Sequence, residues 1–279
     1  MNESEKFAFI GGGVGPYAAD KMEYYITSNT KAKTDQEHVS PRFMLQLPIS
    51  DRTDFLLGRI KTNPAEEMLQ YVVPTIEAFP NNEFVIGIPC ITFHAEKIMN
   101  VFRERLNNIF GDRVQIMDMM KETIDFAEET LAPSTDTVGL LSTTGTRKAG
   151  NFKEMIEESG LTVVEVAPRL QKQLHEAIYQ IKTLGRATGP VKGLIQHDII
   201  KSLERSNSNI GGFVWGCTEL CLPFGNKPEF LRVPAVDSLL AGARAMIQTI
   251  DPSKLKTLKE ALDPNYEPQI NQKSRNKAA

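Results

Sequence analysis

Cys90 and Cys217 occupy matching places in the chain, each closing an apolar run and opening a turn. The first lies in Phe84-Val85-Ile86-Gly87-Ile88-Pro89-Cys90-Ile91-Thr92 and the second in Gly212-Phe213-Val214-Trp215-Gly216-Cys217-Thr218-Glu219. Two thiols facing each other across a carbon atom can take a proton from one side and return one to the other. That inverts a stereocentre without a redox cofactor. The working base is the thiolate; a free Cys titrates near pH ~8.5, lower beside helix N-termini or hydroxyl and amide donors. Helices expected to begin near Thr92 (running through His94, Ala95, Ile98 and Met99) and near Thr218 would turn positive dipole ends toward both sulfurs. The bland alternative is a buried thiol that acts as a small hydrophobe. Cys221, one helical turn beyond Cys217, is read that way. Zinc bound by Cys90, His94, Cys217 and Cys221 would lack the CxxC-type spacing such sites use, so no metal is expected.

The segments holding these thiols read as short buried strands, being β-rich, apolar and bounded by Gly or Pro. Each Cys then stands at the carboxyl end of a parallel strand, where open α/β sheets bind ligands. Lys6-Phe7-Ala8-Phe9-Ile10 feeds a loop of small residues at 11–16, and Thr137-Val138-Gly139-Leu140-Leu141 feeds another at 142–146. Helices are expected after them at 17–28 and 148–159. Cys90 follows Gly11 by 79 residues and Cys217 follows Ser142 by 75, so loop and thiol recur at nearly equal spacing. This suggests two related α/β units; chance likeness between two α/β stretches is the competing explanation. Paired face to face, such units would put the thiols on opposite walls of one cleft.

Further along, a strand at 114–117 and a helix at 119–131 precede a linker at 132–136. A strand at 231–238, a helix at 239–248 and a helix at 253–262, started by Asp251 and Pro252, follow the second Cys. The expected fold class is α/β. It comprises two similar three-layer domains with parallel-sheet cores related by a pseudo-two-fold, with the active site in the cleft between them. Residues 1–118 with 233–262 form the first domain and 119–232 the second; the polar segment 263–279 reads as a disordered tail.

With 279 residues, 41% hydrophobic and 24% charged, the composition is that of an ordinary globular protein. A net charge of −3 gives no electrostatic case for nucleic acid or an anionic membrane. Apolar runs are strand-sized rather than membrane-spanning, and the polar start does not resemble a signal peptide. Three cysteines, an odd and sparse set, fit free thiols in a reducing cytosol, so a cytoplasmic enzyme is expected. The 11–16 loop lacks the full G-x-G-x-x-G register and an acidic residue closing a second strand, which weakens a dinucleotide-binding reading.

Seven collinear motifs resemble the cofactor-independent aspartate/glutamate racemase superfamily, most closely its aspartate racemase branch. They are Gly11-Gly12-Gly13-Val14-Gly15-Pro16, Ser50-Asp51-Arg52-Thr53, Pro89-Cys90-Ile91-Thr92-Phe93-His94, Leu140-Leu141-Ser142-Thr143-Thr144-Gly145-Thr146, Ile178-Tyr179-Gln180-Ile181-Lys182, Gly216-Cys217-Thr218-Glu219-Leu220 and Val233-Pro234-Ala235-Val236-Asp237-Ser238. The resemblance implies two α/β domains around one site, commonly a homodimer, an acidic amino acid as the small-molecule partner and no pyridoxal phosphate or other cofactor. It implies that Cys90 and Cys217 are the acid/base pair and that Arg52 receives a substrate carboxylate, a task suited to a planar guanidinium. An ion pair of Arg52 with Asp51 or Asp54 is the competing reading. Lys182 looks like a second carboxylate-binding cation. Thr92, Thr143, Thr144 and Thr218 are candidate donors to the carboxylate or thiolates, or helix caps. Gly12 and Gly13 belong to a backbone nest that could take an anion. His94 is read as packing or support, and Glu219 stands where the aspartate branch has Glu and the glutamate branch His.

Two departures bear on the substrate. Ile91 replaces an Asn that usually binds it, and Tyr17-Ala18-Ala19 follows the first loop where a Thr is usual. One lost hydrogen bond to a charged group is worth roughly 1.5–3 kcal/mol, enough to change preference more than tenfold. The alternatives are therefore a dicarboxylate isomerase or decarboxylase of the maleate type and a non-catalytic dicarboxylate-binding protein.

Overall fold

A computed structural model describes residues 6–39, 42–131, 135–225 and 231–262. The tail expected at 263–279 and most of the linker expected at 132–136 lie outside the described residues. Two four-stranded parallel sheets form the frame, β2-β1-β3-β4 and β6-β5-β7-β8. The first consists of β1 (Lys6–Gly11), β2 (Arg42–Leu45), β3 (Glu83–Gly87) and β4 (Val114–Ile116). The second consists of β5 (Thr137–Ser142), β6 (Thr162–Glu165), β7 (Gly212–Gly216) and β8 (Ala235–Val236). Both orders reverse direction between their central strands, β1 and β3 in one sheet, β5 and β7 in the other. Loops leaving such neighbours splay apart and open a crevice at the carboxyl ends. The small-residue loops and the two Cys turns leave those four strand ends.

Alternation sets the first sheet's faces. Phe7, Phe9, Phe84 and Ile86 join one apolar core with α3 (Pro64–Glu77) and α4 (Glu96–Phe110), while Ala8, Ile10 and Val85 join the other. That second core is continuous with the interior of the second lobe. Helices α1 (Pro16–Asn29) and α2 (Arg52–Leu56) complete the first set, and α5 (Met119–Thr130) follows β4. The second set holds α6 (Thr144–Ala149), α7 (Asn151–Glu158), α8 (Pro168–Leu184), α9 (Gly189–Gly193), a π-helical stretch Leu194–Ile200, α10 (Lys201–Ser206) and α11 (Thr218–Phe224). Last come α12 (Ser238–Ile250) and α13 (Leu258–Leu262).

The helix after each fourth strand crosses over. α5 packs on α7 and β8, and Leu131 just past its end lies against Gly212 of β7. α12 packs on α1, β1 and β3, with Met246 seated over Gly87. The stretch 233–262 therefore divides, its strand joining the second sheet and its helix the first. Asp118 and Asp237 start these crossing helices by the same device, each carboxylate accepting two backbone N–H groups of the first turn.

Three expected helices differ from the structure. Residues 91–94 form a 3₁₀ turn; Ala95 then leaves helical backbone, and α4 begins only at Glu96. Cys90 thus precedes a single tight turn rather than the N-terminus of a long helix. The helix expected at 148–159 starts earlier and breaks at Gly150, whose φ is +83°. Asp251 and Pro252 start only a 3₁₀ turn, because Leu255 pairs with Thr30 and α13 begins at Leu258. Among the described residues no helix is long and apolar enough to cross a membrane.

Candidate active site

Both thiols are buried, Cys90 4% and Cys217 3% exposed. Their turns meet across the lobes: the Thr218 hydroxyl donates to the carbonyl of Pro89 at 3.0 Å. The residue after one Cys thus touches the residue before the other. Lys182 reaches across as well, its charge interacting with both thiols.

Hydroxyls gather at Thr92, two residues past Cys90. Thr92 Oγ1 lies 3.0 Å from Thr143 Oγ1 and 2.9 Å from Thr146 Oγ1, and the latter two are 3.1 Å apart. This closed triangle spans the two lobes. Thr143 also accepts the Thr146 N–H, so its cap reading holds for α6. Thr92 and Thr218 cap nothing. Such close approach needs Gly145, where a Cβ would stand 2.6 Å from Thr53 Oγ1 and 2.9 Å from Thr53 Cα. The Thr144 N–H donates to His175 Nδ1 at 3.4 Å. His94 is fully enclosed; its Nε2 meets the Ile88 carbonyl at 3.2 Å and its Nδ1 lies 3.8 Å from Asp118 Oδ1. Burial pulls its pKa down to about 4 against the pull of Asp118, so it is neutral. Ile91 is buried in the shared apolar core.

The Cys217 side carries charge. Cys217 donates its S–H to Glu219 Oε2 at 3.0 Å, and the Thr218 hydroxyl reaches the same oxygen at 3.2 Å. Burial first, and the Glu219 carboxylate next, push this thiol well above its ordinary range. This reverses the direction expected from a helix dipole, because α11 is short and the carboxylate is in contact. Glu219 Oε1 lies 3.4 Å from Lys182 Nζ and has no hydrogen bond of its own. It rests against Gly15 of the first loop, where a Cβ would come within 2.5 Å of it.

Arg52 is buried and fanned against backbone: Nη2 donates to Val14 O, and Nη1 donates to Ile49 O at 3.2 Å and Ser50 O at 3.1 Å. Its Nε is buried without a partner. Of the expected alternative, an ion pair with Asp51 or Asp54, Asp54 pairs instead with Arg59 at 2.9 Å, and Asp51 acts on Arg52 through its charge. Asp51 starts α2 by accepting the Asp54 N–H and accepts the hydroxyl of Tyr179 from the opposite lobe. Burial opposes its ionisation, yet the Tyr179 hydroxyl, the Asp54 N–H and the charges of Arg52 and Lys182 hold Asp51 below the usual carboxylate range. Lys182 also donates to Val14 O at 3.4 Å and lies over the Tyr179 ring. In the first loop, the Gly12 N–H goes to Ile10 O and the Gly13 N–H to Gln46 Oε1, so these donors already have partners. Cys221 turns away toward Ser238 at 3.6 Å.

Sequence reasoning missed Tyr179, Asp51, Thr146 and His175. Tyr179 was within reach, since it stands three residues before Lys182 on one helix face.

No family model matches this chain. Solved structures do. A Picrophilus torridus aspartate racemase superposes with a TM-score of 0.68 at 22% identity, over 91% of this chain and 96% of that one. An aspartate racemase homologue from Pyrococcus horikoshii OT3 gives 0.62 at 19%, over 88% and 99%. A glutamate racemase from Francisella tularensis in complex with D-glutamate gives 0.56 at 13%, over 96% and 86%. The chain therefore has the two-lobed α/β fold of aspartate and glutamate racemase structures.

Proposed function

We propose that this protein is a cofactor-independent racemase of an acidic amino acid, aspartate or glutamate, with Cys90 and Cys217 as the two proton-transfer groups. The observation that carries the reading is the meeting of the two cysteine turns across the lobes, through Thr218 and Pro89, beside Arg52 and Lys182. A substrate α-carbon held between the sulfurs loses its proton to one and gains a proton from the other on the opposite face. Cys217, kept protonated by burial and Glu219, is the resting donor; the opposite step falls to Cys90. For the opposite enantiomer Cys217 must first lose its proton, and Glu219 Oε2 is the acceptor in contact. Arg52, with an unpartnered Nε, and Lys182 supply the positive charge that a second carboxylate needs. Because both thiols are covered, a substrate reaches them only when the lobes part, which breaks the Tyr179–Asp51 and Thr92–Thr143 contacts.

The test is exchange of the α-proton in D₂O from either enantiomer of aspartate and glutamate. Full activity in Cys90→Ser and Cys217→Ser variants would refute the mechanism. Turnover of maleate or an arylmalonate without amino-acid exchange would favour the isomerase or decarboxylase alternative. A thermal shift with aspartate but no exchange would favour a binding protein.

A further inference from the structure

The ion pair Lys182–Glu219, buried at its carboxylate end and part-buried at its lysine, carries an asymmetry that bears on substrate class. Glu219 is 1% exposed, and its Oε2 is already engaged by the Cys217 thiol and the Thr218 hydroxyl. Its Oε1 has no hydrogen bond; the nearest cation is Lys182, at 3.4 Å. Lys182 in turn is shared loosely between Glu219, the Val14 carbonyl and the Tyr179 ring. Close by, Arg52 presents a buried Nε that also lacks a partner. The resting site thus holds one unsatisfied anionic acceptor and one unsatisfied cationic donor, with an extended ion pair between the lobes.

We infer, on the racemase reading above, that a substrate zwitterion splits the Lys182–Glu219 pair, its ammonium donating to Glu219 Oε1 and a carboxylate replacing Glu219 at Lys182, so that the site selects amino acids over plain dicarboxylates. The internal pair is a stand-in for the ligand's own opposite charges. A ligand with both charges replaces each half of the pair as it leaves. A dicarboxylate without an amino group draws Lys182 away and leaves Glu219 a buried, uncompensated carboxylate. Breaking a buried pair from one side is strongly unfavourable, whereas exchanging both partners is not.

Isothermal titration of the full-length protein with aspartate and with succinate, which is aspartate without its amino group, tests this. The intact protein should bind aspartate at least tenfold more tightly than succinate. In Glu219→Gln, which keeps shape and removes charge, aspartate should weaken at least tenfold while succinate holds or tightens, closing the gap. Glu219→Asp, which keeps the charge, should retain a preference for aspartate and guards against a folding defect in the amide variant. Equal weakening of both ligands in Glu219→Gln, or an undiminished preference there, would overturn the inference. Tight aspartate binding without solvent exchange would defeat the racemase reading and leave this one standing. Binding of neither ligand to the intact protein would defeat both.

Discussion

The two cysteine turns sit on the same scaffold but in different chemistry. Two residues after each Cys stand Thr92 and Glu219; four residues after stand His94 and Cys221. Each fourth strand ends in an aspartate that starts the crossing helix, Asp118 facing His94 and Asp237 lying near Cys221 and accepting the Tyr25 hydroxyl at 2.7 Å. Backbone and capping devices repeat. What differs is the partner: Cys90 lies in the field of Arg52 and Lys182 with Thr92 of its turn in a triangle of threonines, whereas Cys217 leans on a carboxylate tied to a lysine. A repeated fold therefore gives its two thiols different surroundings, Cys217 donating to a carboxylate and Cys90 beside Arg52 and Lys182.

The comparison is broken most directly at the sulfurs. Cys90→Ser and Cys217→Ser should each lower α-proton exchange by about 10²–10⁴-fold. Their residual pH profiles should differ, because only Cys217 touches a carboxylate. Identical profiles in D₂O exchange would abolish the asymmetry. Next in size is His94. Its native pKa of about 4 lies below the ~6.5 of an unfolded histidine, so the unfolded chain binds the proton first. The stabilisation is complete above about pH 6.5 and is lost as pH falls toward 4, a change on the order of 3 kcal/mol. Urea unfolding across that window, with a His94→Gln variant that lacks the slope, measures it.

Gly145→Ala probes the threonine triangle. Its methyl would meet Thr53 backbone, and overpacking of this kind costs about 1–3 kcal/mol. Urea midpoints should fall, and the cost should shrink when Thr53 is cut to Ala only if the side-chain oxygen rather than Cα is the obstacle. Smallest is Tyr179→Phe, which removes one cross-lobe hydrogen bond to a partly exposed carboxylate and should cost about 1 kcal/mol in thermal unfolding.

Much of the frame was legible in the sequence. Strand cores and their Gly or Pro boundaries are local signals, and so are the Cys turns; the strands β1, β3, β5 and β7 fall where apolar runs put them. Helix exits were less visible. Nothing at Ala95 punctuates the chain, and Leu255 leaves helix only because Thr30, more than two hundred residues earlier, pairs with it. The direction of the Cys217 shift was misread for the same reason. A dipole argument sees the helix that follows, whereas the contact that decides is a side-chain carboxylate folded back onto the sulfur. Tyr179 and Asp51 lie 128 residues apart, and only tertiary structure joins them.

The crossing of α5 and α12 has a consequence for biosynthesis. The face of the first sheet that bears Ala8, Ile10 and Val85 is shared by α1 and α12, so its cover is complete only once residues 238–250 have left the ribosome. Until then a nascent chain carries a finished strand order with that side only part-covered by α1, the kind of surface that chaperones hold and aggregates grow from. The amino-terminal lobe must therefore wait for the carboxyl-terminal end before it can close, and the two lobes should mature together rather than in order of synthesis.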